Sequence, residues 1–252
     1  MEPNKVLYQF VLRLADHNMI MAQRMAEWCS RGPILEEDLA LTNISLDLLG
    51  QAELFYDYAV ELSGVNQCAD DLAFLRSERA YLNCLLVEQP NGDYANTMVK
   101  LLLFSCFEKH LYTSLLNSTD HRIADLAAKG IKEVRYHYRH SSDWVVRLSL
   151  GTEESKQRIK NAMVELWRFV DDMFDMNEID RNLISSGISV DLNTCYTAWK
   201  SDMDQIFNEC KIEIPHVDNI VKGGIHGIHT EHLGHILCEM QFLQRAHPGA
   251  KW

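Results

Sequence analysis

The stretch LTNISLDLLGQAELFYDYAVEL, residues 41–62, decides the fold of this chain. Its apolar residues fall on nearly every side of a helix, and a helix that is apolar all round is a buried one. Asn43, Asp47 and Gln51 nevertheless form a polar stripe through its middle. A carboxylate in a buried helix is costly unless it is paired, hydrogen-bonded or bound to a metal. Asp47 is therefore either a metal ligand or a carboxylate that a polar network satisfies.

Helical periodicity continues from this stretch toward both ends of the chain. Asp93, Asp120 and Asp191 are placed as N-caps, because a side-chain oxygen there accepts from the first free backbone N–H groups. The predicted helices are 5–29, 36–63, 70–88, 94–117, 121–150, 153–175, 178–185, 191–210 and 230–247. Long helices joined by short loops predict an all-α, up-and-down bundle. We expect one domain over residues 1–252, with residues 186–252 as a C-terminal helical extension.

Composition excludes several classes of function. The formal net charge of −12 and the lack of a Lys/Arg-rich run argue against a nucleic-acid partner. The seven cysteines are scattered and never spaced C-x-x-C, which is typical of reduced thiols in a cytoplasmic protein. No segment has the pattern of a signal peptide, and no apolar run approaches the ~20 residues that cross a bilayer.

A bundle with inward carboxylates raises the question of a di-iron centre. Ferritin-like di-iron proteins take a Glu from each of two helices and a Glu-x-x-His from each of two others. The one Glu-x-x-His here is Glu213-Ile-Pro-His216, in which proline prevents a helix from presenting both side chains. Glu133 and His137 are spaced i, i+4, so they form either half of a metal site or a hydrogen-bonded pair.

Two other clusters could bind a ligand. His226, His229, His232 and His235 recur at every third residue, a period that drifts around an α-helix. They are either zinc ligands or groups at a helix N-terminus and an interface. Arg135 and Arg139 could contact the phosphates of a nucleotide-like ligand, although arginines on a solvated helix face explain them as well.

Four segments carry a resemblance to a known family. They are residues 41–62 as quoted, LLVEQPNG at 85–92, IKEVRYH at 131–137, and HTEHLG at 229–234, which continues to EMQ at 239–241. Over nearly its whole length the chain resembles the structural (C) subunits of ring-1,2-phenylacetyl-CoA epoxidase. That enzyme is a bacterial multicomponent monooxygenase of phenylacetate breakdown.

The resemblance implies a ferritin-like fold and a stable complex with a homologous catalytic (A) subunit that holds the di-iron centre. Reductase and small subunits would complete the complex, and a homodimer or a higher hetero-oligomer is expected. This chain would have no catalytic residue, cofactor or metal of its own, and Asp47, Glu133 and His137 would be remnants of a degenerate site. Ser105 stands near where another carboxylate would be expected.

The resemblance leaves two alternatives open. The chain could be a metal-binding ferritin-like oxidoreductase that is active by itself, or a module that binds coenzyme A without chemistry. We expect the partner surface in apolar residues of the first helix and in residues 215–252, with Trp252 as a candidate contact.

Overall fold

The computed structural model describes residues 3–250, and their side chains from Lys5 onward; Trp252 lies outside this range. Within it, all regular secondary structure is helical and no strand occurs, which confirms the all-α class. None of the described helices is both long and apolar enough to cross a membrane. The chain forms two compact units, one combining the N-terminal part up to Pro90 with the part from Gly223 onward, the other spanning Asn91–Lys222.

The first unit is built on a pair of long helices. Its helices are α1 (Pro3–Ala26), α2 (Leu35–Ser63), α3 (Ala69–Phe74), α4 (Leu85–Glu88), α11 (Glu231–Met240) and α12 (Phe242–Ala246), with short 3-10 turns at Glu78–Ala80 and Gly224–His226. Helix α1 packs along α2 and is buried at every position from residue 10 to residue 22. It therefore lacks the exposed apolar surface that we expected of the first helix.

The second unit is also built around a long helix pair. Its helices are α5 (Tyr94–Leu115), α6 (His121–Ser149), α7 (Glu153–Trp167), α8 (Val170–Met173), α9 (Glu178–Ser185) and α10 (Leu192–Cys210). Helix α5 packs against α6, α7 and α10. The predicted N-caps are confirmed: Asp93, Asp120 and Asp191 accept hydrogen bonds from the backbone N–H groups of Asn96, Ile123 and Asn193.

The single helix predicted over residues 70–88 is wrong. The backbone breaks into α3, a 3-10 turn and α4, because N–H groups between them bind side chains of α1 instead of helical carbonyls. The N–H of Leu82 donates to Asp16 over 2.9 Å. The N–H of Cys84 donates to Nδ1 of His17 over 3.1 Å.

Two further predicted helices are interrupted. The helix predicted over 153–175 stops at Trp167, and the carbonyl of Arg168 accepts from the N–H of Val221 over 3.0 Å. The helix predicted over 230–247 divides at Gln241, whose side chain donates to the carbonyl of Arg76 over 3.0 Å. Residues 186–222 belong to the second unit and those from Gly223 to the first, while the predicted organisation as one domain stays a prediction.

Candidate functional site

The carboxylate of Asp16, in the middle of α1, is completely buried and fully occupied. Its Oδ1 accepts from the hydroxyl of Tyr56 over 2.7 Å and from the guanidinium of Arg76. Its Oδ2 accepts from Nη1 of Arg76 over 3.1 Å and from the N–H of Leu82 over 2.9 Å. A bidentate guanidinium with two further donors leaves this carboxylate no free direction for a metal ion.

Aromatic rings enclose the cation that holds Asp16. The guanidinium carbon of Arg76 lies 4.1 Å from the ring centre of Tyr81 and 5.6 Å from that of Tyr56. Burial lowers the pKa of Arg76, but the charge of Asp16 outweighs it, so the pKa is raised. Burial also raises the pKa of Tyr81 to about 12, so its hydroxyl stays protonated. The hydroxyl donates to the carbonyl of Ala73 and accepts from the side-chain amide of Gln241. The cluster is a closed polar core.

A second buried carboxylate, Glu88 at the end of α4, holds the segment that follows the Gly224–His226 turn. Its Oε2 lies 2.9 Å from Nδ1 of His229, and both side chains are 0 % exposed. The other ring nitrogen of His229 lies 2.9 Å from the carbonyl of Tyr81. Because both partners are acceptors, both ring nitrogens carry hydrogen. Burial lowers the pKa of His229, but hydrogen bonding and charge from Glu88 raise it to above its ordinary value.

The remaining lone pairs of Glu88 are also used. Oε1 accepts from the backbone N–H of Thr230 over 2.7 Å and from its hydroxyl over 2.8 Å. Oε2 also accepts from the side-chain amide of Asn83 over 3.0 Å. The backbone carbonyl of Glu88 receives two hydrogen bonds from Arg24. Glu88 therefore joins three separate parts of the first unit and is a structural joint.

The polar stripe of α2 is less buried than the sequence predicted. Gln51 is 5 % exposed, but Asp47 is half-buried and Asn43 is exposed. The apolar residues of α2 are likewise divided: Leu41 and Ile44 are fully buried, whereas other leucines of the helix reach solvent. The prediction of a helix buried on every side is thus wrong for one face of α2.

The other two residues that the resemblance implied to be remnants, Glu133 and His137, lie in the second unit, on α6. His137 is completely buried, and Glu133, one turn before it, is half-buried. On the facing side of α5, the hydroxyl of Ser105 lies 3.4 Å from that of Ser141, which donates to the carbonyl of His137 over 2.8 Å. Ser105, which stands near where a carboxylate was expected, therefore forms a pair of neutral hydroxyl groups with Ser141.

A different group in the second unit does bring ligand atoms together. Among the described residues, Cys106, His110 and Asp202 place one ligand atom each within 4.8 Å of the others. Oδ2 of Asp202 lies 2.5 Å from Nε2 of His110 and 2.5 Å from Nζ of Lys109. Burial raises the pKa of Asp202, but donation from Lys109 and His110 outweighs it and lowers the pKa. Burial raises the pKa of the Cys106 thiol.

The remaining candidate clusters are dispersed. His226 and His235 are exposed and His232 is half-buried, so only His229 of the four is held inside the unit. Arg135 and Arg139 are exposed on α6, where the guanidinium carbon of Arg139 lies 6.0 Å from the ring centre of Tyr136. This placement fits the arginines of a solvated helix face.

Comparison with known proteins gives a consistent result over the whole chain. The family described as "Phenylacetic acid catabolic protein" matches residues 1–252. The C subunit of 1,2-phenylacetyl-CoA epoxidase from Escherichia coli (strain K12) is 46 % identical over 246 residues, which cover 98 % of this chain and 99 % of that relative. The chain belongs to the phenylacetic acid catabolic protein family.

The fold of the phenylacetic acid catabolic proteins is ferritin-like and helical, as the resemblance implied. Two of the four segments that carried the resemblance meet in the first unit: Glu88 of LLVEQPNG holds His229 and Thr230 of HTEHLG. The joint at Glu88 thus links two of the segments on which the resemblance rests.

Ferritin-like folds raise the expectation of a di-iron centre, and the residues of this family member do not fit one. Such a centre needs an imidazole at i+3 from a carboxylate on two helices. The residues at i+3 from Asp16, Asp47, Glu108 and Glu133 are Met19, Gly50, Leu111 and Tyr136. Both oxygens of Asp16 are also held by Arg76.

Sequence reasoning missed the residue pairs that organise the first unit. Arg76 is 60 residues from Asp16, and His229 is 141 residues from Glu88. Neither pair shares a helix or a motif, so helical periodicity gave no signal for them. The spacing of Cys106 and His110 at i, i+4 on one helix was a signal that could have been found.

Proposed function

We propose that this chain is the non-catalytic structural subunit of a multicomponent di-iron monooxygenase that epoxidises the aromatic ring of phenylacetyl-CoA. A homologous catalytic (A) subunit would hold the iron, and reductase and small subunits would supply electrons. Iron bound there would activate O₂ for transfer to the ring. This chain would fold, bind that subunit and stabilise it in the cytoplasm, within a homodimeric or higher hetero-oligomeric complex. The name of the relative, which is the C subunit of an epoxidase, supports this assignment.

The observation that carries the proposal is the occupation of Asp16. A helix-borne carboxylate at the centre of a ferritin-like protein is a natural metal ligand, yet here Arg76 neutralises it and Leu82 and Tyr56 fill its remaining lone pairs. The guanidinium of Arg76 supplies the positive charge that a metal ion would otherwise supply, so this core needs no metal to be stable. Such a core suits a subunit whose role is structural.

The exposed face of α2 is the surface that we assign to the catalytic partner. Leu35, Leu39 and Leu46 lie on one side of this helix and are 70 %, 55 % and 59 % exposed. Stable subunit interfaces are large and have apolar centres, whereas isolated chains rarely expose an apolar stripe of this kind. Contact with the partner would remove these side chains from water.

The proposal is tested by co-expression with the catalytic subunit. Affinity purification measures the complex, and O₂ uptake dependent on phenylacetyl-CoA measures its activity. We expect a stable complex, activity that falls strongly when this chain is omitted, and loss of the complex in Leu39→Asp. Lys132→Asp, an exposed change on α6, is the matched control. Full activity of the catalytic subunit without this chain would contradict the proposal, and O₂ uptake by this chain alone would favour an independent oxidoreductase.

A further inference from the structure

Helices α5 and α10 of the second unit bring together a cysteine, a histidine and an aspartate. Cys106 and His110 are one turn apart on α5, and Asp202 projects from α10 toward both. The distance to Oδ2 of Asp202 is 3.5 Å from Sγ of Cys106 and 2.5 Å from Nε2 of His110. Two ligands on one helix and a third on its neighbour are held by rigid elements on one side of a possible metal position.

The three ligand types match one class of metal ion. Thiolate, imidazole and carboxylate together are the donors of zinc sites, whereas Ca²⁺ and Mg²⁺ prefer oxygen alone. In a tetrahedral zinc site, bond lengths of about 2.0–2.3 Å separate the ligand atoms by roughly 3.3–3.7 Å. The sulfur and the carboxylate oxygen already lie 3.5 Å apart. His110 needs to retreat from the oxygen by roughly 1 Å, a shift within the reach of side-chain rotation.

The ammonium of Lys109 binds the carboxylate oxygen that an ion at this site would need. Nζ of Lys109 lies 2.5 Å from Oδ2 of Asp202 and 3.7 Å from the ring centre of Tyr138. The side chains of Lys109, His110 and Asp202 are 18 %, 20 % and 21 % exposed, so solvent reaches the group. A flexible lysine can swing outward along this path, which opens an entry for a small cation.

We propose that Cys106, His110 and Asp202 form a Zn²⁺ site in which Lys109 is the cation of the metal-free chain. On binding, Zn²⁺ displaces the ammonium of Lys109 into solvent. The Cys106 thiol becomes a thiolate ligand and releases its proton to water. The hydrogen that Nε2 of His110 donates to Asp202 leaves that nitrogen for water or for Nδ1, and the freed lone pair of Nε2 binds the ion. Water completes the fourth position, because the described residues bring three ligand atoms together there. The ion would then fasten α10 to α5 in place of the ion pair.

This site is separate from the family's di-iron chemistry. It uses none of Asp16, Asp47, Glu133 or His137, and it contains a thiolate, a ligand suited to zinc and not to the carboxylate-bridged iron of ferritin-like centres. The proposal stands on the geometry of α5 and α10 alone. It holds whether or not the chain proves to be an epoxidase subunit.

The test is a zinc titration of the full-length chain after metal has been stripped with a chelator. Calorimetry in competition with a second chelator gives stoichiometry and affinity, and Co²⁺ gives an optical signal for thiolate ligation. We expect one ion per chain. In Cys106→Ser we expect the Co²⁺–thiolate band to disappear and the affinity to fall by more than the roughly 10–100-fold that loss of an outer-shell partner costs.

Lys109→Met separates a metal site from a simple ion-pair link. It keeps all three ligands and removes the competing cation, so we expect zinc to bind at least about tenfold more tightly. A link that exists only as an ion pair would give unchanged or absent zinc binding in this variant. That result would overturn the proposal even if Cys106→Ser failed to fold.

The controls use cysteines outside the group. Cys195 is a buried cysteine of α10, and Cys29, Cys68 and Cys238 are exposed. Ser substitution at each should leave the high-affinity ion and the Co²⁺ band unchanged. Zinc binding that survives Cys106→Ser but disappears with an exposed cysteine would overturn the proposal, because the ion would then be bound at the surface.

Discussion

The carboxylates of Asp16 and Glu88 in the first unit are held differently from that of Asp202 in the second. In the first, Asp16 and Glu88 are 0 % exposed, both oxygens of each accept hydrogen bonds, and each carboxylate has a backbone N–H among its donors. In the second, the side chain of Asp202 is 21 % exposed. Its donors, Lys109, His110 and Cys106, all converge on one oxygen.

This difference in donors means that Asp16 and Glu88 have fixed partners, whereas Asp202 can exchange its cation. A backbone N–H cannot move away without unfolding its segment, so the first unit must keep its carboxylates paired to stay folded. A lysine can leave Asp202 by rotating its own side chain. Buried carboxylates in one helical fold thus serve either to fix loops or to receive a cation, according to the mobility of the donors.

The largest loss of stability is expected when the buried pair of Asp16 and Arg76 is broken. Asp16→Asn leaves the guanidinium of Arg76 buried without its counter-charge, and breaking such a pair costs about 3–5 kcal/mol. Urea unfolding should show this loss in the free energy of unfolding. Arg158→Met is the control, because its exposed ion pairs with Glu154 and Asp93 should contribute little to the free energy of unfolding. If Asp16→Asn and Arg158→Met lowered the free energy of unfolding equally, the buried pair would be no more important than an exposed ion pair.

The next effect is expected at the joint of Glu88. Glu88→Gln leaves the protonated His229 without a charge partner and places an amide against the donor of Asn83, at a cost of about 2–3 kcal/mol. Limited proteolysis should then cut faster within the segment from Gly223 onward, which Glu88 ties to α4. Wild-type cleavage rates in this variant would mean that other contacts hold the segment.

A pH effect is expected from His17, which accepts from the N–H of Cys84 and is therefore neutral. Burial, with the nearby charge of Arg13, lowers its pKa from 6.5 to about 3. Between about pH 3 and pH 6.5, His17 is protonated in the unfolded chain but stays neutral in the folded chain. Stability should therefore fall as the pH drops below 6.5, by roughly 1.4 kcal/mol per pH unit. His17→Gln should remove this slope; an unchanged slope would assign it to other groups.

His229 should act in the opposite direction and more weakly, since burial partly opposes the effect of Glu88. Its pKa is raised above 6.5 in the folded chain. Its contribution is fully present below the unfolded-state value of 6.5 and is lost as the pH rises through the folded-state pKa. The free energy of unfolding, measured from pH 6 to pH 9 in wild type and His229→Gln, should converge at high pH. A constant difference between the two would contradict an ionised pair.

The smallest effects are expected at the remnant residues. Asp47→Asn and Glu133→Gln change half-buried carboxylates and should alter stability by no more than about 0.5 kcal/mol. Neither should lower O₂ uptake by the assembled complex. A strong loss of activity with unchanged stability would give these residues a role in the reaction.

The parts of the fold with local signals were predictable. Asp93, Asp120 and Asp191 mark their helices because a cap needs only the next few residues. The helix predicted over 70–88 was wrong because Leu82 and Cys84 donate to Asp16 and His17, more than sixty residues away. Helical propensity is a weak prior that such tertiary contacts override.

The candidate site was harder to predict. Scanning for Glu-x-x-His correctly found no helical match. It could not reveal that the carboxylate of Asp16 is paired with the guanidinium of Arg76. The histidine series drew attention to zinc, yet only the fold shows that His229 belongs to Glu88. Cys106 and His110 were one turn apart in the sequence, and Asp202, the third member, became visible only when α10 packed on α5.

The most direct test of the central claim is the iron content of this chain, expressed in iron-rich medium alone and together with the catalytic partner. The account predicts no iron in the chain purified alone, and iron in the complex at the stoichiometry of the partner. Iron at about two atoms per chain in the isolated protein, the content of a di-iron centre, would contradict it. The search for its ligands would then begin at Glu133 and His137.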